Sequence, residues 1–152
     1  MATLMAAIVA LFVLTAPSRA QEPAPDSGNA FDKQTHAKID LYLAKHPVRP
    51  SPLFEATTRL MALLGRLDAM IVDACEFDPD FPNWQDAAKG LRENTVLAFT
   101  RSYGDEMRKE MDETPASGTV RDRLLCADEK RHREKTVREL QRDFAALRRQ
   151  GY

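Results

Sequence analysis

The residues of this 152-residue chain with the most reactive chemistry are two cysteines, Cys75 and Cys126, three histidines, His36, His46 and His132, and the acids that follow Cys75. Cys75 ends an apolar run and opens the stretch CEFDPD, so it could be a nucleophile, a metal ligand or half of a disulfide. A thiol nucleophile needs a base beside it, and none of the three histidines stands in a recognisable motif. No C-x-x-C spacing occurs, so neither a thioredoxin-like redox pair nor c-type haem attachment is expected.

A calcium loop beginning at Asp78 would place Asp80 at its third position and Asp86 at its ninth. It would also place Pro82 fifth, Asn83 where a glycine makes the turn, and Lys89 where a bidentate glutamate must close the site, so calcium is disfavoured. Glu129 and His132 form the E-x-x-H unit of di-iron bundles. Such a centre needs a second copy and two further glutamates, which this chain does not supply, and with Lys130, Arg131 and Arg133 around it the pair reads as solvent-facing. Met107 and Met111, one helical turn apart, read as core filler rather than copper ligands. No catalytic residue, metal site or cofactor is expected.

What Cys75 becomes depends on the compartment, which residues 1–20 address. An apolar run over 4–14 is followed by Pro17 and then by Ser18-Arg19-Ala20, which puts small residues at the minus-three and minus-one positions of a signal-peptidase site. The run is too short to span a bilayer, which takes about 20 apolar residues. Cleavage after Ala20 and residence in a bacterial periplasm, or secretion, are the expectations. No later segment is apolar enough for a membrane span. In an oxidising compartment two cysteines in a small domain usually pair, so Cys75 and Cys126 are expected to form a disulfide.

Residues 21–30 are rich in Pro, Gly and small polar side chains and read as a flexible leader; 31–150 reads as one helical domain. Phe31, Ile39, Tyr42 and Leu43 suit a short amphipathic helix over 31–45, ended by HPVRPSP. Ser51 as N-cap and Pro52 at the first helical position open a second helix. Its stripe is Leu53, Thr57, Leu60, Leu64, Leu67, Ile71 and Ala74, with Phe54, Met61 and Cys75 at its rim.

Asn83 is a cap for a third helix carrying Trp84, Ala88, Leu91, Thr95, Ala98, Phe99 and Ser102, in which Gly90 and Gly104 are weak points. Thr119 can cap a last helix reaching about Arg149, apolar at Val120, Leu124 and Leu125 and again at Val137, Leu140, Phe144 and Leu147. The intervening ADEKRHREKT reads as a solvent-facing stretch. No strand-like alternation appears, so the fold class is all-α, a small bundle of about four helices.

The disulfide and a straight up-and-down bundle conflict. Cys75 ends its helix, Cys126 lies about two turns into the last one, and an unbroken third helix between them would separate their levels by roughly 30 Å. Disulfide closure needs Cα atoms within about 7 Å. If the two are bridged, the third helix must be broken or the helices must cross steeply.

The series Leu63-Leu64-Gly65-x-Leu67, Cys75, Trp84, Ala98-Phe99, Tyr103 and Cys126 resembles a family of small exported bacterial helical proteins of uncharacterised function, with a shorter interval here between Trp84 and Phe99. The resemblance implies helices, export and a cysteine pair, and carries over no catalytic residue. Charge adds a second clue. Residues 21–118 hold 11 basic and 17 acidic side chains, whereas 119–152 hold 10 basic and 6 acidic. The basic residues alternate with acids and lack interleaved aromatics, so nucleic acid is not the expected partner.

The function expected is therefore non-enzymatic: an adaptor, assembly factor or inhibitor that binds an unknown periplasmic protein through the last helix, with Arg138, Arg142, Arg148 and Arg149 as the surface. The alternative is a bundle that holds a small molecule or metal-bearing ligand between its helices. An enzyme using a free Cys75 thiol ranks third.

Overall fold

The computed structural model describes residues 33–75, 84–113 and 123–152. They form five helices: α1 Lys33–Lys45, α2 Pro52–Ala74, α3 Trp84–Ala87, α4 Glu93–Glu113 and α5 Arg123–Arg149. No strand occurs among the described residues, and the all-α class holds. The expected signal over 1–20, the expected leader over 21–30, the expected caps at Asn83 and Thr119, and Val120 lie outside the described residues, as do the side chains of Ala74, Leu124 and Leu125.

α2 begins as its first residues dictate. The Ser51 hydroxyl accepts the Phe54 N–H at 3.1 Å, and Pro52 fills a position whose N–H has no helical partner. Thr57, Leu64, Leu67 and Ile71 are buried as the stripe requires, and Met61, expected at its rim, is fully buried. Cys75 is the C-cap, its N–H donating to the Ile71 carbonyl.

α2 is the element against which α4 and α5 pack. Its contacts with α5, Thr57 to Asp143 and Asp68 to Arg133, run in opposite directions along the chain, so the two helices are antiparallel. Its contacts with α4, Phe54 to Phe99, Thr58 to Ser102 and Arg66 to Glu110, keep a nearly constant offset in the same direction, so α2 and α4 are parallel. α1 packs antiparallel on α4, with Tyr42 bonded to Glu93 and Asp40 to Arg101.

A parallel α4 requires the chain to return from the end of α2 to its beginning before α4 starts, and here the continuous third helix of the sequence reading is replaced. α3 stops after four residues, and Gly90, at φ +85°, turns the chain before α4 begins at Glu93. That φ lies in the left-handed region which glycine adopts without steric cost. The Arg148 guanidinium of α5 donates to the carbonyls of Ala87 (2.8 Å) and Lys89 (2.9 Å), satisfying acceptors that the end of α3 leaves open.

With α4 running beside α2, α5 begins at the level where α2 ends. Cys75 and Cys126 are bridged, Cα to Cα 5.7 Å, so the broken third helix removes the conflict between disulfide and bundle.

Phe99, Phe144, Met61, Leu64, Leu140 and Leu147 form the centre of the core. A chain of ring contacts crosses it, from Tyr152 to Phe54 (5.9 Å), Phe99 (5.3 Å), Phe144 (5.5 Å) and Trp84 (6.4 Å), and on to Tyr103 (5.9 Å). Tyr152 reaches it through a Schellman cap on α5. Gly151 at φ +80° lets the Tyr152 N–H bond to the Leu147 carbonyl and the Gly151 N–H to that of Arg148. At Gly65 α2 and α4 approach so closely that a Cβ there would collide with the Tyr103 carbonyl oxygen.

Candidate functional site

The disulfide settles the state of the sulfurs. Cys75 and Cys126, 51 residues apart, are bonded to each other, so in this state neither offers a thiolate. Closing a loop of that length restricts the unfolded chain by about 4 kcal/mol. The carboxylate of Glu129, one turn along α5, lies 3.8 Å from Cys75 Sγ. Its E-x-x-H partner His132 is exposed, and its backbone carbonyl accepts the Thr136 hydroxyl, while Glu129 is half-buried.

Of the acids after Cys75, Asp78 and Asp80 lie outside the described residues. Asp86 is exposed on α3 and paired at 2.9 Å with Lys89, the residue at the closing position of the calcium alignment. The methionines diverge: Met107 packs on the core, whereas Met111 is 49% exposed and fills nothing, which corrects its reading as core filler.

ADEKRHREKT is not uniformly solvent-facing, a second correction. Arg133 and Thr136 are buried within it. Arg133 Nε donates to Asp68 Oδ1 at 2.5 Å, its NH2 group lies 3.4 Å from Oδ2, and the Tyr103 hydroxyl donates to the same Oδ2 at 2.8 Å. This acid, base and phenol tie α2, α5 and α4 together inside the protein. Burial, then the charge and hydrogen bond of Asp68, hold the Tyr103 phenol far above its ordinary range, so it stays protonated as a donor. The phenol donor and the carboxylate it bonds position the three helices relative to one another. The signal was present in the register: Asp68 follows Leu64 by four residues and Arg133 precedes Val137 by four, each in line with an apolar stripe.

A second polar cluster joins α1 to α4. His36 is buried, with Nδ1 3.1 Å from Asp105 Oδ1 and 2.9 Å from Arg101 NH1. Arg101 also bonds Asp40 at 2.7 Å and pairs with Asp105. The partners of His36 were not legible in the sequence, because one histidine on a short helix carries no pattern that points to α4.

The four arginines expected to form a partner surface do not act alike. Arg138 and Arg142 are exposed and, with Lys135, Glu139, Gln141 and Ala145, line a shallow open depression on the outer side of α5; Arg138 lies 3.7 Å from Glu134. Arg149 is exposed as well. Arg148 is held by the Ala87 and Lys89 carbonyls on the α3 side. Lys135, Arg138, Arg142 and Arg149 recur at spacings of three, four and seven, which is one side of a helix.

Among the described residues there is no group of three or more acids, histidines or cysteines placed to hold a metal, and no helix long and apolar enough to cross a membrane. Comparison with protein-family models, curated proteins and solved structures finds no match for this chain.

Proposed function

We propose that this is an exported, non-enzymatic protein that binds another protein through the outer side of α5. The observation that carries the proposal is the exposed row Lys135, Arg138, Arg142 and Arg149 beside an open depression, in a helix whose opposite side is committed to the core. Charged side chains on an open face steer association with a complementary surface, and the partner that fits is an acidic face of another protein. Arg148, bonded to backbone carbonyls, contributes to the turn at Gly90 rather than to this row.

Export rests on the apolar run and small-residue site of 1–20 and is supported by the disulfide, which persists in oxidising compartments. The likeness to small exported two-cysteine helical proteins points the same way. The test is reversal of the row, Arg138→Glu, Arg142→Glu and Arg149→Glu together, followed by crosslinking in intact cells. The expected result is loss of the crosslinked partner with helix content and melting behaviour retained. Unchanged partners would refute this surface.

A further inference from the structure

We propose that α1 is an acid-released strap: protonation of His36 detaches residues 33–45 from α4 while α2, α4 and α5 stay packed. The device goes beyond the binding role assigned to α5 and does not depend on it.

α1 is held by little. Among the described helices it packs only on α4, His36 and Ile39 are its only buried residues, and Leu41 is 66% exposed. A single buried isoleucine supplies little apolar area, so the polar contacts of the helix decide whether it stays docked. Elements with so few buried contacts open at lower cost than the core does.

Among the described residues, the charged groups facing His36 include Arg101, Asp105 and Arg108 on α4 and Asp40 on α1 itself. Two guanidinium groups and two carboxylates balance, and a neutral His36 adds no charge. One ring nitrogen faces two partners: neutral Nδ1 can accept from Arg101, whereas a protonated ring must donate to Asp105, which already pairs with Arg101. Protonation therefore removes the Arg101 bond, makes Arg101 and His36 share the Asp105 carboxylate, and adds a positive charge to a buried ring beside two guanidinium groups.

The direction of titration agrees. Burial first, then the charges of Arg108 and Arg101, hold the His36 pKa below its ordinary value against the opposing pull of Asp105. A detached α1 takes up the proton near pH 6.5 while a docked one resists it. The docked state thus has its full stability above that pH and loses it as pH falls toward the depressed value. Asp40, kept below the usual carboxylate range by its bond to Arg101, stays ionised through this window and does not offset the change.

Hydrogen exchange of the full chain at pH 7.5 and 5.5, corrected for intrinsic exchange rates, tests the strap. Peptides covering 33–45 should lose protection severalfold at the lower pH while those from α2, α4 and α5 keep theirs. His36→Asn, which retains an acceptor for Arg101 and cannot be protonated, should keep α1 protected at both pH values. An equal loss in the variant, or no loss in the natural chain, would overturn the proposal. If the variant leaves α1 open throughout, the ring signals of His36 in the natural chain decide: they must titrate together with α1 opening, and titration at or above pH 6.5 with α1 still closed contradicts it.

Discussion

A methyl group at position 65 has nowhere to go, because the atom it would strike is a backbone oxygen of α4 rather than the end of a movable side chain. Gly65→Ala must push α2 and α4 apart, and the expected cost is about 3 kcal/mol, read as a lowered denaturant midpoint with an unchanged slope. The Asp68, Arg133 and Tyr103 cluster predicts a different pattern. Asp68→Ala removes the carboxylate from a buried guanidinium and a buried phenol and should cost about 3 to 5 kcal/mol. Replacing all three by Leu, Leu and Phe should recover most of that loss, because an apolar trio of similar volume needs no compensation; failure of the triple variant to exceed Asp68→Ala would show that the network contributes more than mutual satisfaction. These residues show what a pattern can reveal. Ser51, Thr57, Phe99 and Phe144 were legible because caps and stripes repeat locally. The buried pairing of Asp68 with Arg133, 65 residues apart, required knowing that α2 and α5 are antiparallel neighbours.

Among the elements, the break at Gly90 has the largest consequences. The sequence marks both Gly90 and Gly104 as weak points, yet Gly104 sits inside a continuous α4 while Gly90 takes a positive φ. The difference is tertiary: Arg148 of α5 receives the open carbonyls at Ala87 and Lys89, and Trp84 and Ala88 enter the core from the short α3. Gly90→Ala should cost about 1 to 2 kcal/mol through the left-handed backbone alone. The disulfide secures the other end of the same arrangement. Cys75→Ser with Cys126→Ser should lower stability by about 4 kcal/mol in chemical denaturation, and reduction of the natural protein should give a similar loss; a loss below 1 kcal/mol would mean that the helix ends stay aligned in the unfolded chain without the bridge. That a bridged pair demands either a broken third helix or steeply crossing helices followed from helix rise alone. The parallel course of α2 and α4 did not, since no local pattern records which of two helix directions a connection produces.

For the whole molecule, composition and charge narrow the function more than any single residue does. The proposed export predicts that protein recovered from its host begins at Gln21, and the disulfide predicts that it is lighter than its reduced form by two hydrogens; intact mass with and without reduction checks both. The all-α class, the start of α2 at Ser51 and Pro52 and the pairing of the two cysteines were readable, whereas the start of α4 at Glu93 was not, because the break before it is fixed by contacts with α5. Of the four arginines proposed as a partner surface, all stand exposed, and Arg148 is also bonded to a turn whose existence the linear sequence does not display. The most direct test of the binding role is a photoreactive residue placed at position 138 or 142, with exposed Arg59 on α2 as the control position, in cells expressing the protein at its natural level. The predicted result is one discrete protein adduct from positions 138 and 142 and none from position 59. Equal labelling at all three positions, or no adduct from α5, would contradict the assignment of that helix as the surface through which the protein acts.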